Sequence, residues 1–195
     1  MISNVTKELL NNKITKYIIF HPSAQYNYKV YPKNLRNKLL LSLNELGIPI
    51  IITGGKNKID SQIKKEIPEA SNIYNLIGKT SLEEYFALSQ MCLAYIGMDT
   101  LNMHIAASQN KRIFAIFGPT KLSMWSPWSN ELQHGAKKNK SIQSYDNITI
   151  FQSSTPCSVC GKVGCGSNHG KDQLTYSISP DEVFIEVKNW LNSLN

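Results

Sequence analysis

The chain reads as an α/β domain, a Rossmann-like parallel sheet with helices on both faces. Three observations point there. Apolar, β-branched runs without polar alternation recur at "KYIIFH" (16–21), "IPIIIT" (48–53) and "RIFAIFG" (112–118), and strands of that kind are covered on both sides. Between them lie segments with apolar residues at helical spacing, the leucines at 35, 39, 40, 43 and 46 above all. Strand and helix signals alternate along the chain, the order that builds parallel βαβ units.

Taken in order, residues 4–12 read as a short helix within a linker, 1–15, ahead of the domain that fills 16–195. The strand 16–21 leads into a polar turn, "PSAQYNYKVY", after which Pro32 opens a helix that Gly47 ends; proline suits a first helical turn and glycine the left-handed residue that follows a helix. The strand 48–53 stops at Gly54 and Gly55, and a polar helix covers about 58–67. A short strand, 72–76, precedes a helix capped by Ser81, with Glu83 and Glu84 in its first turn where carboxylates complement the dipole. The strand 92–97, a helix over about 100–109 and the strand 112–118 complete the alternation. Short strands are expected near 131–134 and 147–151, and the segment 152–176 is irregular. A closing helix spans 180–193, with Ser179 as cap, Pro180 in the first turn, and Val183, Phe184, Val187, Trp190 and Leu191 as its apolar face.

With 195 residues the chain allows one large domain or a domain with an appendage. A hydrophobic fraction of 42% with 18% charged residues excludes a disordered chain. The formal charge of +7, densest at Lys137, Lys138 and Lys140, suits a phosphorylated ligand, anionic lipid or nucleic acid. No aromatic-interleaved basic patch accompanies it, so nucleic acid is set aside as a partner. The first twenty residues lack a secretory h-region, and no apolar run approaches the ~20 residues a membrane span needs. The expected location is cytoplasmic, with reduced cysteines.

In a doubly wound sheet, ligands bind beyond the carboxyl ends of the strands. The loops at Ser23–Tyr31, Thr53–Lys58, Asp99–His104 and Gly118–Lys121 lie there. A helix that starts near residue 100 presents unpaired N–H groups and partial positive charge to an anion such as a diphosphate. Asp99 and Thr100 can hydrogen-bond sugar hydroxyls and phosphate, and His104 lies within reach; as open a reading is that Asp99 caps the helix and His104 is a surface histidine. Ser23 and Lys29 share a loop in which the lysine suits phosphate as a point charge, or is a solvated loop lysine. Glu83 can accept from ribose hydroxyls or compensate its own helix dipole.

The order of these pieces resembles the C-terminal domain of glycosyltransferase family 9, the lipopolysaccharide heptosyltransferases. The family's Lys-x-Trp-Pro stands here as "KVYP", Lys29–Pro32; its Ser-Leu-Glu helix start as "SLEE", Ser81–Glu84; its Asp-Thr-Gly-x-x-His and Ala-Ala helix as "DTLNMHIAA", Asp99–Ala107; and its strand ending in Gly-Pro-Thr at Gly118–Thr120. The resemblance covers about 16–130. It implies half of a GT-B architecture, the half that binds a nucleotide-sugar donor of ADP-heptose type. By position it implies Ser23 and Lys29 on the diphosphate, Glu83 on the ribose, and Asp99, Thr100 and Leu101 on phosphate and sugar, with His104 beside them. It implies no cofactor for transfer, no catalytic residue within this chain, and peripheral contact with the inner face of the inner membrane. Leu101 departs from the family glycine and Tyr31 from its tryptophan. The expectation is a donor-binding half that is inactive without an acceptor domain, supplied by a separate N-terminal chain or answered by self-association. The alternative is a non-catalytic interaction module of the same fold.

Cys157, Cys160, Cys165 and His169 have a C-x2-C-x4-C-x3-H spacing. Three thiolates and an imidazole make a tetrahedral zinc set; reduced thiols without metal are the other reading. Cys92 falls in a strand and reads as core.

Overall fold

A computed structural model describes residues 14–118, 120–153, 175 and 177–194. The helix expected at 4–12 and the proposed zinc ligands Cys157, Cys160, Cys165 and His169 lie outside the described residues. Seven strands form one sheet: β1 (Ile18–His21), β2 (Ile50–Ile52), β3 (Ile73–Asn75), β4 (Ala94–Met98), β5 (Arg112–Phe117), β6 (Ile142–Tyr145) and β7 (Ile148–Gln152). Their spatial order is β3-β2-β1-β4-β5-β7-β6, parallel except for β6, which pairs antiparallel with β7. Six α-helices are described: α1 (Lys33–Asn44), α2 (Lys58–Glu66), α3 (Leu82–Met91), α4 (Leu101–Ser108), α5 (Leu122–Trp125) and α6 (Pro180–Asn192).

The strand alternation divides the core in two. Ile18, Phe20, Phe114 and Ile116 face one side, where Leu39, Leu40 and Leu43 of α1, Ile63 of α2 and Val183 and Val187 of α6 cover them. Ile19, Ile113, Ala115 and Phe117 face the other, against Tyr85 and Leu88 of α3, Met103 and Ala106 of α4, and Leu122 of α5. A sheet buried on both faces needs continuous apolar strands, which is why the runs carry no polar alternation. Local signals end the helices as expected. Ser81 and Glu84 form a capping box at α3, Ser179 accepts from the Glu182 N–H at α6, and Gly47 takes φ +71° after α1.

Three details differ from the sequence reading. The strand expected near 131–134 is a single bridge, Ser129 to His134. The expected strand near 147–151 is one arm of a hairpin whose other arm, β6, lies half-exposed at the sheet edge. Pro32 is the cap of α1, and helical geometry begins at Lys33.

The chain runs outward from β1 to β3 and then returns to place β4 beside β1. The reversal falls between β1 and β4, so their carboxyl ends flank a crevice. Close approach there demands Gly97: a Cβ at that position would lie 2.4 Å from the His21 carbonyl oxygen. No described helix is long and apolar enough to cross a membrane.

Candidate functional site

An open cleft of about 910 Å³ lies over the carboxyl ends of β1, β2, β4 and β5. Ser23, Lys29, Asp99, Thr100, Leu101 and His104 all line it, although the loops that carry them are far apart in sequence. A 3-10 turn, Asn27–Lys29, follows β1. Tyr31 then buries its ring and donates its hydroxyl to the Ile178 carbonyl at 2.6 Å, tying the loop down ahead of α6. With its loop held, Lys29 reaches across β1 and β4, and its ammonium lies 3.2 Å from Asp99 Oδ2.

That ion pair resolves one of the open readings. Asp99 does not cap α4; Thr100 is the N-cap residue, and its hydroxyl makes no capping bond. The Thr100 carbonyl accepts from Met103 and His104, so the N–H groups of Leu101 and Asn102, at the first two helical positions, have no intrahelical partner. The turn therefore presents amide donors, an ammonium and a carboxylate to the cleft. Leu101, at the helix start, is 61% exposed and lines the cleft. His104 stands one turn further on, with its pKa lowered by burial and partly restored by Asp99.

Glu83 is not among the residues that line the cleft. Its carboxylate is held below the usual range by hydrogen bonds from its own backbone N–H and from Ser81, as expected of a side chain folded onto its helix start. Besides Asp99, the acidic residue that lines the cleft is Asp60, near the start of α2. It is buried, its Oδ1 has no hydrogen-bond partner, and a Cβ at Gly54 would lie 2.7 Å from that oxygen. Sequence reasoning passed over Asp60 as part of a polar helix. The signal that pointed to it is the Gly54-Gly55 pair, which lets the loop close over a carboxylate. His21, also missed, lines the cleft with its Nδ1 3.0 Å from Thr53 Oγ1. Burial pushes its pKa down to about 4, so the ring is neutral. Thr120, Lys121, Met124 and Trp125 form a wall after β5.

Among the described residues no group of three or more His, Cys, Asp or Glu side chains is placed to hold a metal ion. The sequence profile of glycosyltransferase family 9 (heptosyltransferase) matches residues 2–153. The chain belongs to glycosyltransferase family 9. It is 29% identical over 119 residues to lipopolysaccharide heptosyltransferase 3 of Escherichia coli, covering 60% of this chain and 35% of that one. Over 182 residues it is 26% identical to lipooligosaccharide heptosyltransferase 2 of Campylobacter jejuni, 91% of this chain and 52% of the relative. The chain thus spans about a third to a half of these family members. The fold agrees with that of E. coli heptosyltransferase WaaC, solved with ADP, at a TM-score of 0.66 and 14% identity, over 94% of this chain and 48% of that one. The seven-stranded sheet is therefore that of a GT-B glycosyltransferase, matched over about half of the solved chain.

Proposed function

We propose that this domain binds the nucleotide-sugar donor, of ADP-heptose type, for a heptosyl transfer in lipopolysaccharide core assembly. The observation that carries the reading is the meeting of Lys29, Asp99 and the unpaired first turn of α4 in one cleft. A diphosphate suits that combination, because amides at a helix start and an ammonium each favour an anion. As the sugar leaves, charge grows on the departing nucleoside diphosphate. Lys29 and the α4 amides are fixed where that charge develops, an electrostatic contribution to transfer. Asp99 keeps the ammonium aimed into the cleft, and Ser23 offers a hydroxyl beside it. The carboxylate for ribose hydroxyls is Asp60 rather than Glu83, since Asp60 is the one of the two that lines the cleft. Acceptor binding and the catalytic base belong, in this reading, to a further domain or chain that faces the cleft.

Calorimetry with ADP tests the proposal. Saturable heat is expected, with Lys29→Ala weakening binding about 10- to 100-fold, the range for a charge-assisted contact. Absence of ADP binding in the unaltered chain would refute it.

One observation favours a second reading, an interaction module. Leu101, Met124, Trp125 and Trp128 are all at least half exposed, the first three on the wall of the cleft with Lys121, and Lys121, Lys137 and Lys138 are exposed as well. Such a surface suits a second chain or an acidic lipid interface, where tryptophan and lysine are favoured. Light scattering distinguishes self-association, and co-sedimentation with phosphatidylglycerol vesicles reads the membrane contact.

A further inference from the structure

The start of α4 lacks a side-chain cap on its cleft side, because the Thr100 hydroxyl makes no capping bond. It is held from beneath. Tyr95 donates to the Met98 carbonyl at 2.8 Å and its hydroxyl lies 3.5 Å from Thr100 Oγ1. Tyr85, on α3, donates to the Asn102 carbonyl at 3.0 Å. These two carbonyls bracket Asp99, Thr100 and Leu101, the stretch that carries the anion-facing groups. Both phenols are buried. Both rings pack on His21 with centroids 6.4 Å away, and Thr53 fixes the His21 ring through Nδ1. Three elements, β1, α3 and β4, therefore converge under a single turn.

We infer that Tyr85 and Tyr95 are positioning residues that clamp the anion-binding turn from below, with His21 as the surface both rings rest on. An exposed turn with unpaired amides would otherwise be ordered only when its ligand arrived, and that ordering would subtract from affinity. Two buried hydroxyls bonded to the carbonyls on either side set the amides in advance, the preorganisation that anion stabilisation requires. The consequence for affinity rests on the donor reading above; the clamp itself does not.

Tyr17 supplies the control. It is equally buried, and its hydroxyl donates to the Leu88 carbonyl of α3 at 2.8 Å, one helical turn beyond Tyr85 and away from the clamped turn. Phenylalanine at any of the three sites removes one buried hydroxyl and keeps the ring. Tyr17→Phe, Tyr85→Phe and Tyr95→Phe are expected to lower the melting temperature by similar amounts. Backbone ¹⁵N order parameters from Asp99 to His104 should fall in Tyr85→Phe and Tyr95→Phe and stay unchanged in Tyr17→Phe. ADP affinity should follow the same division, about fivefold weaker in the first two. Should Tyr95→Phe not fold, Tyr85→Phe against Tyr17→Phe carries the comparison. Equal order parameters at 99–104 in all variants would overturn the clamp. A drop in order at the turn in a chain that does not bind ADP would support the clamp and remove the donor reading instead.

Discussion

Lys29 and Asp99 are 70 positions apart and meet at 3.2 Å, with the Asp99 side chain only 6% exposed. A carboxylate so enclosed keeps its charge at the cost of desolvation unless a cation stays with it. Asp60 presents the opposite situation: a buried carboxylate oxygen without a partner. Asp60→Asn keeps the size of the side chain and should leave the fold intact, while discrimination between ADP and its dideoxyribose analogue is lost. The measurement is a pair of binding isotherms beside a thermal melt. Glu83→Gln should leave both isotherms as they were. Gly97 is the third decisive residue. A methyl group 2.4 Å from the His21 carbonyl would drive β1 and β4 apart, so Gly97→Ala should cost about 1–3 kcal/mol, the usual penalty for overpacking, read from urea unfolding.

Among the elements, α3 shows most plainly how local chemistry sets a boundary. Ser81 accepts from the Glu84 N–H at 3.2 Å and Glu84 accepts from the Ser81 N–H at 2.8 Å. Ser81→Ala should lower stability by about 1 kcal/mol and the melting temperature by about 2–4 °C for a domain of this size. The same helix delivers Tyr85 to the first turn of α4, so a frayed α3 would also loosen the site. The β6–β7 hairpin shows what local chemistry hides. Its turn is Asp146-Asn147, with Asp146 at φ +49°, a dipeptide suited to a tight hairpin. Residues 142–145 escaped notice because the strand is a half-exposed edge whose apolar content is low.

For the molecule as a whole, the buried imidazole of His21 governs response to mild acid. Its pKa is pushed down by burial from 6.5 to about 4, so the unfolded chain takes up a proton in that interval which the folded chain refuses. Stability is intact above pH 6.5 and falls as pH drops toward 4, by about 3 kcal/mol from this group. His104, also lowered by burial, acts in the same direction. Urea midpoints between pH 7.5 and 5 should decline with acid, and His21→Gln should flatten most of that slope; an unchanged slope would assign the acid response elsewhere. On one face of the sheet the buried Arg36, 2.8 Å from Glu66, joins α1 to α2.

Read alone, the amino-acid sequence specified the parallel α/β sheet, nearly every strand and helix inside it, the caps at Ser81 and Ser179, and the stretch around Asp99 as one that lies at the carboxyl ends of the strands. These features are local: periodicity, capping and apolar runs act within a few residues, so they are written in order along the chain. Only the tertiary structure decided that Asp99 pairs with Lys29 instead of capping α4, that Asp60 and not Glu83 lines the cleft, and that His21 carries two tyrosines beneath the turn. Those outcomes depend on strand order and on the paths of loops separated by tens of residues, and a side chain's direction across such a gap is set by packing, which no local pattern records.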